Sequence, residues 1–274
     1  MGTYNTSKKI LNIKDFQHPA DRKSVAAVMA VPGMNKLLEF ISQNSLERTY
    51  GFINNSSRLK ITPAMSPKIH AMLEEAAAMY GETYIPEVYL ERNYTYLINL
   101  DGLTKPHIIL PDTWLEAVDD KMLFAILSAQ IAGIQAKHAT IEFIDNIVKF
   151  TKGLLPFGVD AALEFAINDW KRNRIYTVDR AILLAEEDFG RAAKHILFGD
   201  APSGIIDTLD LETPGNPYQQ QALEFLQRSG MEGGIQKMET VLSGSQWLAS
   251  RYIELYNWYY SGAYDEVLER SVEA

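Results

Sequence analysis

Apolar residues recur at helical spacing through most of the chain. From Ala20 to Ser42 that spacing is interrupted by Val31-Pro32-Gly33-Met34, which predicts two helices joined by a tight turn. Ser66-Pro67 opens another helix, with Ser66 as N-cap and Pro67 at the first helical position; it should run to about Tyr80 and stop at Gly81. The pattern then changes. Glu87–Glu91, Thr95–Asn99 and His107–Leu110 are rich in β-branched and aromatic residues and read as strands. Arg92-Asn93-Tyr94 is short enough to join the first two as a hairpin. Helical spacing returns from about Asp119 to His138, Phe143 to Lys152 and Ala161 to Ala185. A polar stretch with two prolines, Thr208 to Pro217, reads as a long loop. Short helices follow, ending in the aromatic-rich stretch Trp247 to Tyr260.

The expected fold class is therefore α+β, predominantly α-helical, with a small, mostly antiparallel sheet of about three strands. No composition shift divides the chain, so residues 1–274 are taken as one domain with a helical C-terminal segment at about 218–270. Hydrophobic residues make up 47% and charged residues 22%, the balance of an ordinary globular protein. A net charge of −9 argues against general nucleic-acid binding, which depends on neutralising phosphates. The absence of cysteine excludes disulfides, thiolate metal sites and a cysteine nucleophile. The N-terminus lacks the apolar stretch of a secretory signal, and the run from Met122 to Ile134 is too short to span a membrane. The expected setting is cytoplasmic, although Met-Gly-x-x-x-Thr fits a myristoylation pattern on Gly2.

Candidate chemistry is sparse. None of the five histidines lies three to five residues from another, as a zinc-binding helical pair would require. Adjacent acids such as Glu74-Glu75, Asp119-Asp120 and Glu186-Glu187-Asp188 point in different directions on a helix and read as solvated faces. No phosphate-binding glycine loop and no G-x-S-x-G elbow occurs.

The order of several segments nevertheless carries a resemblance. These are Asp15-Phe16-Gln17-His18-Pro19-Ala20-Asp21-Arg22 with Val31-Pro32-Gly33, then Leu73-Glu74-Glu75-Ala76 and Pro86-Glu87-Val88-Tyr89. Trp114-Leu115, Trp170-Lys171-Arg172, Val178-Asp179-Arg180-Ala181 and Tyr252-Ile253-Glu254-Leu255 follow, with Trp258 and Ser261–Tyr264 near the end. Together, over roughly residues 11 to 268, they resemble the soluble bacterial branch of the HtpX-like and CAAX-prenyl-endopeptidase zinc metallopeptidases. The resemblance implies a zincin-like fold, with the sheet beside an active-site helix bearing H-E-x-x-H, two histidines for zinc and a glutamate to activate water.

This chain departs from that motif at each chemical position. Gln130 stands for the first His, Ile131 for the Glu, Ile134 for the second His, and Ile175 for the third ligand, a Glu. Ser245-Gln246 replaces a His-Pro pair. Gln is a poor zinc ligand and Ile cannot bind a metal, so no metal, cofactor or catalytic residue is expected. Ile134 and Ile175 should face each other and fill the site, each contributing on the order of 1.5–3 kcal/mol by burial. The retained Asp179 should accept a hydrogen bond from Gln130, and His138 lies one turn beyond Ile134.

The resemblance also implies a peptide held as an added strand along the sheet edge, here Tyr94, Thr95, Tyr96 and Leu97, with Gly133 allowing close approach. The expected function is an inactive metallopeptidase homologue that binds a polypeptide or a protein partner, as adaptor, chaperone or regulatory subunit; an active metallopeptidase relative is one candidate. Two alternatives stand beside it. One is a zinc-independent enzyme built around Asp179, Gln130, His138, Tyr176 or Arg180. The other is an assembly subunit using the aromatic helix of Trp247, Tyr252, Tyr256, Trp258, Tyr259 and Tyr260, whose bland reading is packing within the chain's own core.

Overall fold

The computed structural model describes residues 4, 9–92, 99–151, 161–197, 203–231 and 248–273. The N-terminal third is helical: α1 (Ile13–Phe16), α2 (Pro19–Met29), α3 (Met34–Gln43), α4 (Leu46–Asn55) and α5 (Pro67–Met79). The interruption after α2 is a turn through Gly33, whose φ of 90° suits a residue without Cβ. Ser66 caps α5 by accepting from the Ile69 amide at 3.4 Å, and Pro67 sits in its first turn.

Four strands form a mixed sheet in the order β1 (Leu59–Ile61), β2 (Glu87–Glu91), β4 (His107–Pro111), β3 (Asn99–Asp101). The small sheet was expected; the hairpin is not seen among the described residues, and Tyr94 and Thr95–Ile98 of it lie outside them. β2 pairs in parallel with β4, and the segment between them in sequence pairs antiparallel with β4 on its far side. The second correction is β1, a fourth strand pairing antiparallel with β2. With three residues and little alternation, it carries too weak a pattern to read. The N- and C-terminal strands Lys9–Ile10 and Val272–Glu273 pair separately, closing the two ends of the described chain on each other.

Alternation fixes what each face of the larger sheet does. Val88, Leu100, Ile108 and Leu110 enter one large core cluster, together with most of α6 (Asp120–Gln135). Glu87, Tyr89, Asp101 and His107 therefore project to the opposite face.

The helix predicted from Asp119 to His138 breaks one turn early. Lys137 adopts a left-handed backbone (φ 66°), and His138 begins α7 (His138–Phe150). Helix α8 (Ala161–Glu186) packs against both α6 and α2. A second core cluster, including Val28, Leu37, Ile41, Phe143, Ile147 and Trp170, joins α2, α3, α7 and the start of α8. The C-terminal part consists of α9 (Phe189–Leu197), α10 (Pro217–Met231), α11 (Leu248–Tyr260) and α12 (Ala263–Arg270).

Phe189 sits within 6.2 Å, ring centre to ring centre, of Tyr252, Tyr256, Tyr259 and Tyr260. Trp258 meets Tyr264 edge-on at 5.7 Å and carries the Arg180 guanidinium over its ring at 4.9 Å. The aromatic helix is thus packed by its own chain; Trp247 lies outside the described residues. Among the described residues no single helix is long and apolar enough to cross a membrane.

Candidate functional site

Helices α6 and α8 lie against each other and bring together the two segments that the motif comparison singled out. Asp119 caps α6, its carboxylate accepting from the Met122 amide at 2.9 Å. The helix is then buried continuously from Leu123 to Gly133. Ile131, which the resemblance aligns with a water-activating Glu, is 0% exposed and belongs to the large core. Gln130 is buried, and its Nε2 reaches only the Ile126 carbonyl of its own helix at 3.5 Å. Ile134 packs on the large core cluster, whereas Ile175 is half-buried and belongs to neither cluster.

Asp179 is 2% exposed and has a partner other than the one expected. The Arg251 guanidinium on α11 donates to both its oxygens, Nη2 to Oδ1 at 2.7 Å and Nε to Oδ2 at 3.0 Å. That two-point pairing fixes α11 to α8 and leaves Gln130 without a role at Asp179. Arg251 lies 121 residues beyond Gln130 in a segment read mainly for its aromatics, which is why the sequence did not suggest it.

A polar network that sequence reasoning missed lies beside this pair. His138 Nε2 approaches Asp21 Oδ1 and Oδ2 at 3.1 and 3.0 Å, with the two side chains 2% and 0% exposed. Thr177 Oγ1 donates to Asp21 Oδ2 at 2.6 Å and accepts the His18 amide at 3.1 Å; Gln17 Nε2 donates to the same Asp21 oxygen at 3.1 Å. Burial drives the Asp21 carboxyl upward. The charge of His138, then the hydrogen bonds of His138, Thr177 and Gln17, outweigh it and hold Asp21 below the usual carboxylate range.

His18 caps α2 by accepting from the Ala20 amide at 3.2 Å, and its Nε2 meets Glu254 at 3.3 Å. The segment Gln17–Asp21 therefore serves as a clamp between α2, α7, α8 and α11. His138, the first residue of α7, turns toward Asp21. Arg180 donates to the Phe16 carbonyl at 3.1 Å, so it too is engaged in holding the N-terminal segment.

Gly133 is explained by the chain's own packing. A Cβ there would stand 2.8 Å from Leu100 Cδ1 and 3.3 Å from His138 Nδ1. The close approach is between α6, β3 and the start of α7. Residues Tyr94, Thr95, Tyr96 and Leu97, the expected peptide-binding edge, lie outside the described residues. β3, which follows them, ends the sheet on that side among the described residues, with α6 and α7 packed against it.

No zinc site can be assembled from these positions. Gln130, Ile131, Ile134 and Ile175 offer no imidazole or carboxylate, and the nearby His138, Asp21 and Asp179 are committed to other partners. Among the described residues no group of three His, Cys, Asp or Glu is placed to hold a metal ion.

Comparison with known proteins is informative at this point. The chain is 24% identical over 273 residues to plastoglobule-localized metallopeptidase 48, chloroplastic, of Arabidopsis thaliana, covering 96% of this chain and 77% of that protein. The chain is thus similar over most of its length to a protein named a metallopeptidase. No family model matches it, and no solved structure does. The similarity spans both the α6 and α8 segments.

Proposed function

We propose that this protein is a metallopeptidase homologue of the HtpX-like and CAAX-prenyl-endopeptidase type that has lost its zinc chemistry and binds a polypeptide without cutting it. The observation that carries the reading is the chemistry at the motif positions: a similarity to a named metallopeptidase over nearly the whole chain, with Gln130, Ile131, Ile134 and Ile175 where ligands and base would be. Ile131 lies in the core, and Asp179 is held by Arg251. Catalysis by metal-bound water needs ligands plus an open coordination position, and these side chains supply neither.

Binding in this reading uses main-chain hydrogen bonds along the sheet edge at β3, as in strand addition generally. The partner is a polypeptide segment, free or presented by another protein such as an active relative. The direct test uses reduced, fluorescently labelled β-casein. Anisotropy should rise saturably on titration with the protein, and electrophoresis after prolonged incubation with added zinc should show intact casein. Cleavage suppressed by phenanthroline would overturn the proposal, as would the absence of saturable binding.

A further inference from the structure

The outer face of the sheet, turned away from α6, carries a cavity. It has a volume of about 290 Å³ and lies between the sheet, α4 and Phe143 on α7. Three aromatic rings, Tyr50, Tyr89 and Phe143, line it. Its floor includes the cross-strand pair Asp101 and His107, directly opposite each other on β3 and β4. Asp101 is 2% exposed, and its carboxylate accepts from the Gly102 amide at 2.9 Å. His107 donates through one ring nitrogen to the Lys105 carbonyl, while its buried Nε2 has no hydrogen-bond partner. That nitrogen is consequently a lone-pair acceptor facing no donor.

Asp101 and the His107 lone pair offer acceptors on this wall, and the aromatic faces attract positive charge. Glu87 is engaged, one oxygen paired with Lys60 and the other accepting from Tyr89 Oη at 2.7 Å. Glu47, also on the wall, is already engaged: it accepts from the Leu103 and Thr104 amides at 2.6 and 2.7 Å and from Thr104 Oγ1 at 2.8 Å, which makes it part of the frame. Arg48 and Lys105 line the cavity as well, but both residues are exposed and reach water. We infer that this cavity binds a primary ammonium group on a short apolar stem, as presented by a free alkylamine or by a lysine side chain. The stem would lie between the rings, and two of the three N–H donors would meet Asp101 and His107 Nε2, the third reaching water at the mouth. The inference stands apart from the peptide-binding proposal, because the cavity opens on the face of the sheet opposite α6.

Amide-resonance titration of the full chain tests it, with n-butylammonium and Nα-acetyl-lysine N-methylamide as probes, and n-pentanol and Nα-acetyl-norleucine N-methylamide as uncharged controls. The expected result is saturable shifts around Glu87–Tyr89 and Asp101–His107 with at least one charged probe, and about tenfold weaker effects with the controls. Response to butylammonium alone identifies a free-amine site, and response to the lysine amide identifies a side-chain site. Asp101→Asn should weaken binding at least about tenfold while distant resonances stay in place. If that variant fails to fold, Tyr89→Leu, at a half-buried position, should weaken binding several-fold. No saturable shift with either charged probe, equal response to the uncharged controls, or undiminished binding in the folded variants would overturn the inference.

Discussion

The buried Asp21–His138 pair is the residue-scale feature with the largest expected consequence. Both partners are essentially inaccessible, so His138→Ala leaves a carboxylate in the core with only Thr177 and Gln17 to support it. Removing one member of such a pair costs on the order of 3–5 kcal/mol, and urea unfolding should show a loss of that size. The depressed carboxyl of Asp21 also sets a sign for acid. Its contribution to stability is present above the unfolded-state carboxyl value and is lost as pH falls through the lower folded value, so the pair supports the fold at neutral pH and fails only in strong acid.

Asp101 behaves in the opposite way. Burial, with a smaller contribution from Glu142, pushes its carboxyl up to about 7 against the Gly102 hydrogen bond and Arg58. The folded state then holds a proton that the unfolded state has released, and stability falls as pH rises from the ordinary carboxylate range toward 7. Asp101→Asn should flatten that part of the stability profile; an unchanged slope between pH 5 and pH 8, measured by urea midpoints, would assign it to other groups. Neither feature was legible in the sequence. Asp21 and His138 are 117 positions apart, and a lone histidine in a helix gives no sign of its partner.

Elements were legible wherever a local signal defined them. Ser66-Pro67 marks the start of α5, and the 26-residue α8 was recovered within a residue at its end, because caps and helical spacing are short-range properties. β1 and the parallel pairing of β2 with β4 were not, since strand partners are chosen by the tertiary fold. The contact of α6 with β3 provides a test at this scale. Gly133→Ala gains about 1 kcal/mol of helix propensity but drives a methyl into Leu100 and the His138 ring, an overpacking worth about 1–3 kcal/mol. The net expectation is a destabilisation of about 1 kcal/mol, relieved by adding Leu100→Val, which trims the side chain that is struck. A double-mutant cycle in urea checks this: additive effects would mean that Gly133 is not what lets α6 approach the strand.

For the whole molecule, the candidate site was legible only in what it lacks. The resemblance drew attention to Gln130, Ile131, Ile134 and Ile175, and the structure adds that Ile131 is core and that Asp179 pairs with Arg251. The clamp of Gln17, His18, Asp21, His138 and Thr177 joining four helices arises from long-range contacts that no motif encodes. Arg251→Met should loosen α11 from α8 and expose Trp258, so its fluorescence should shift red together with a lower unfolding midpoint.

The central claim is that a metallopeptidase-like chain works without a metal, and the metal content of the protein itself tests it most directly. Elemental mass spectrometry of protein purified without chelators should find less than about a tenth of a zinc per chain, since a site needs three ligands that these positions do not provide. A value close to one zinc per chain would contradict the account.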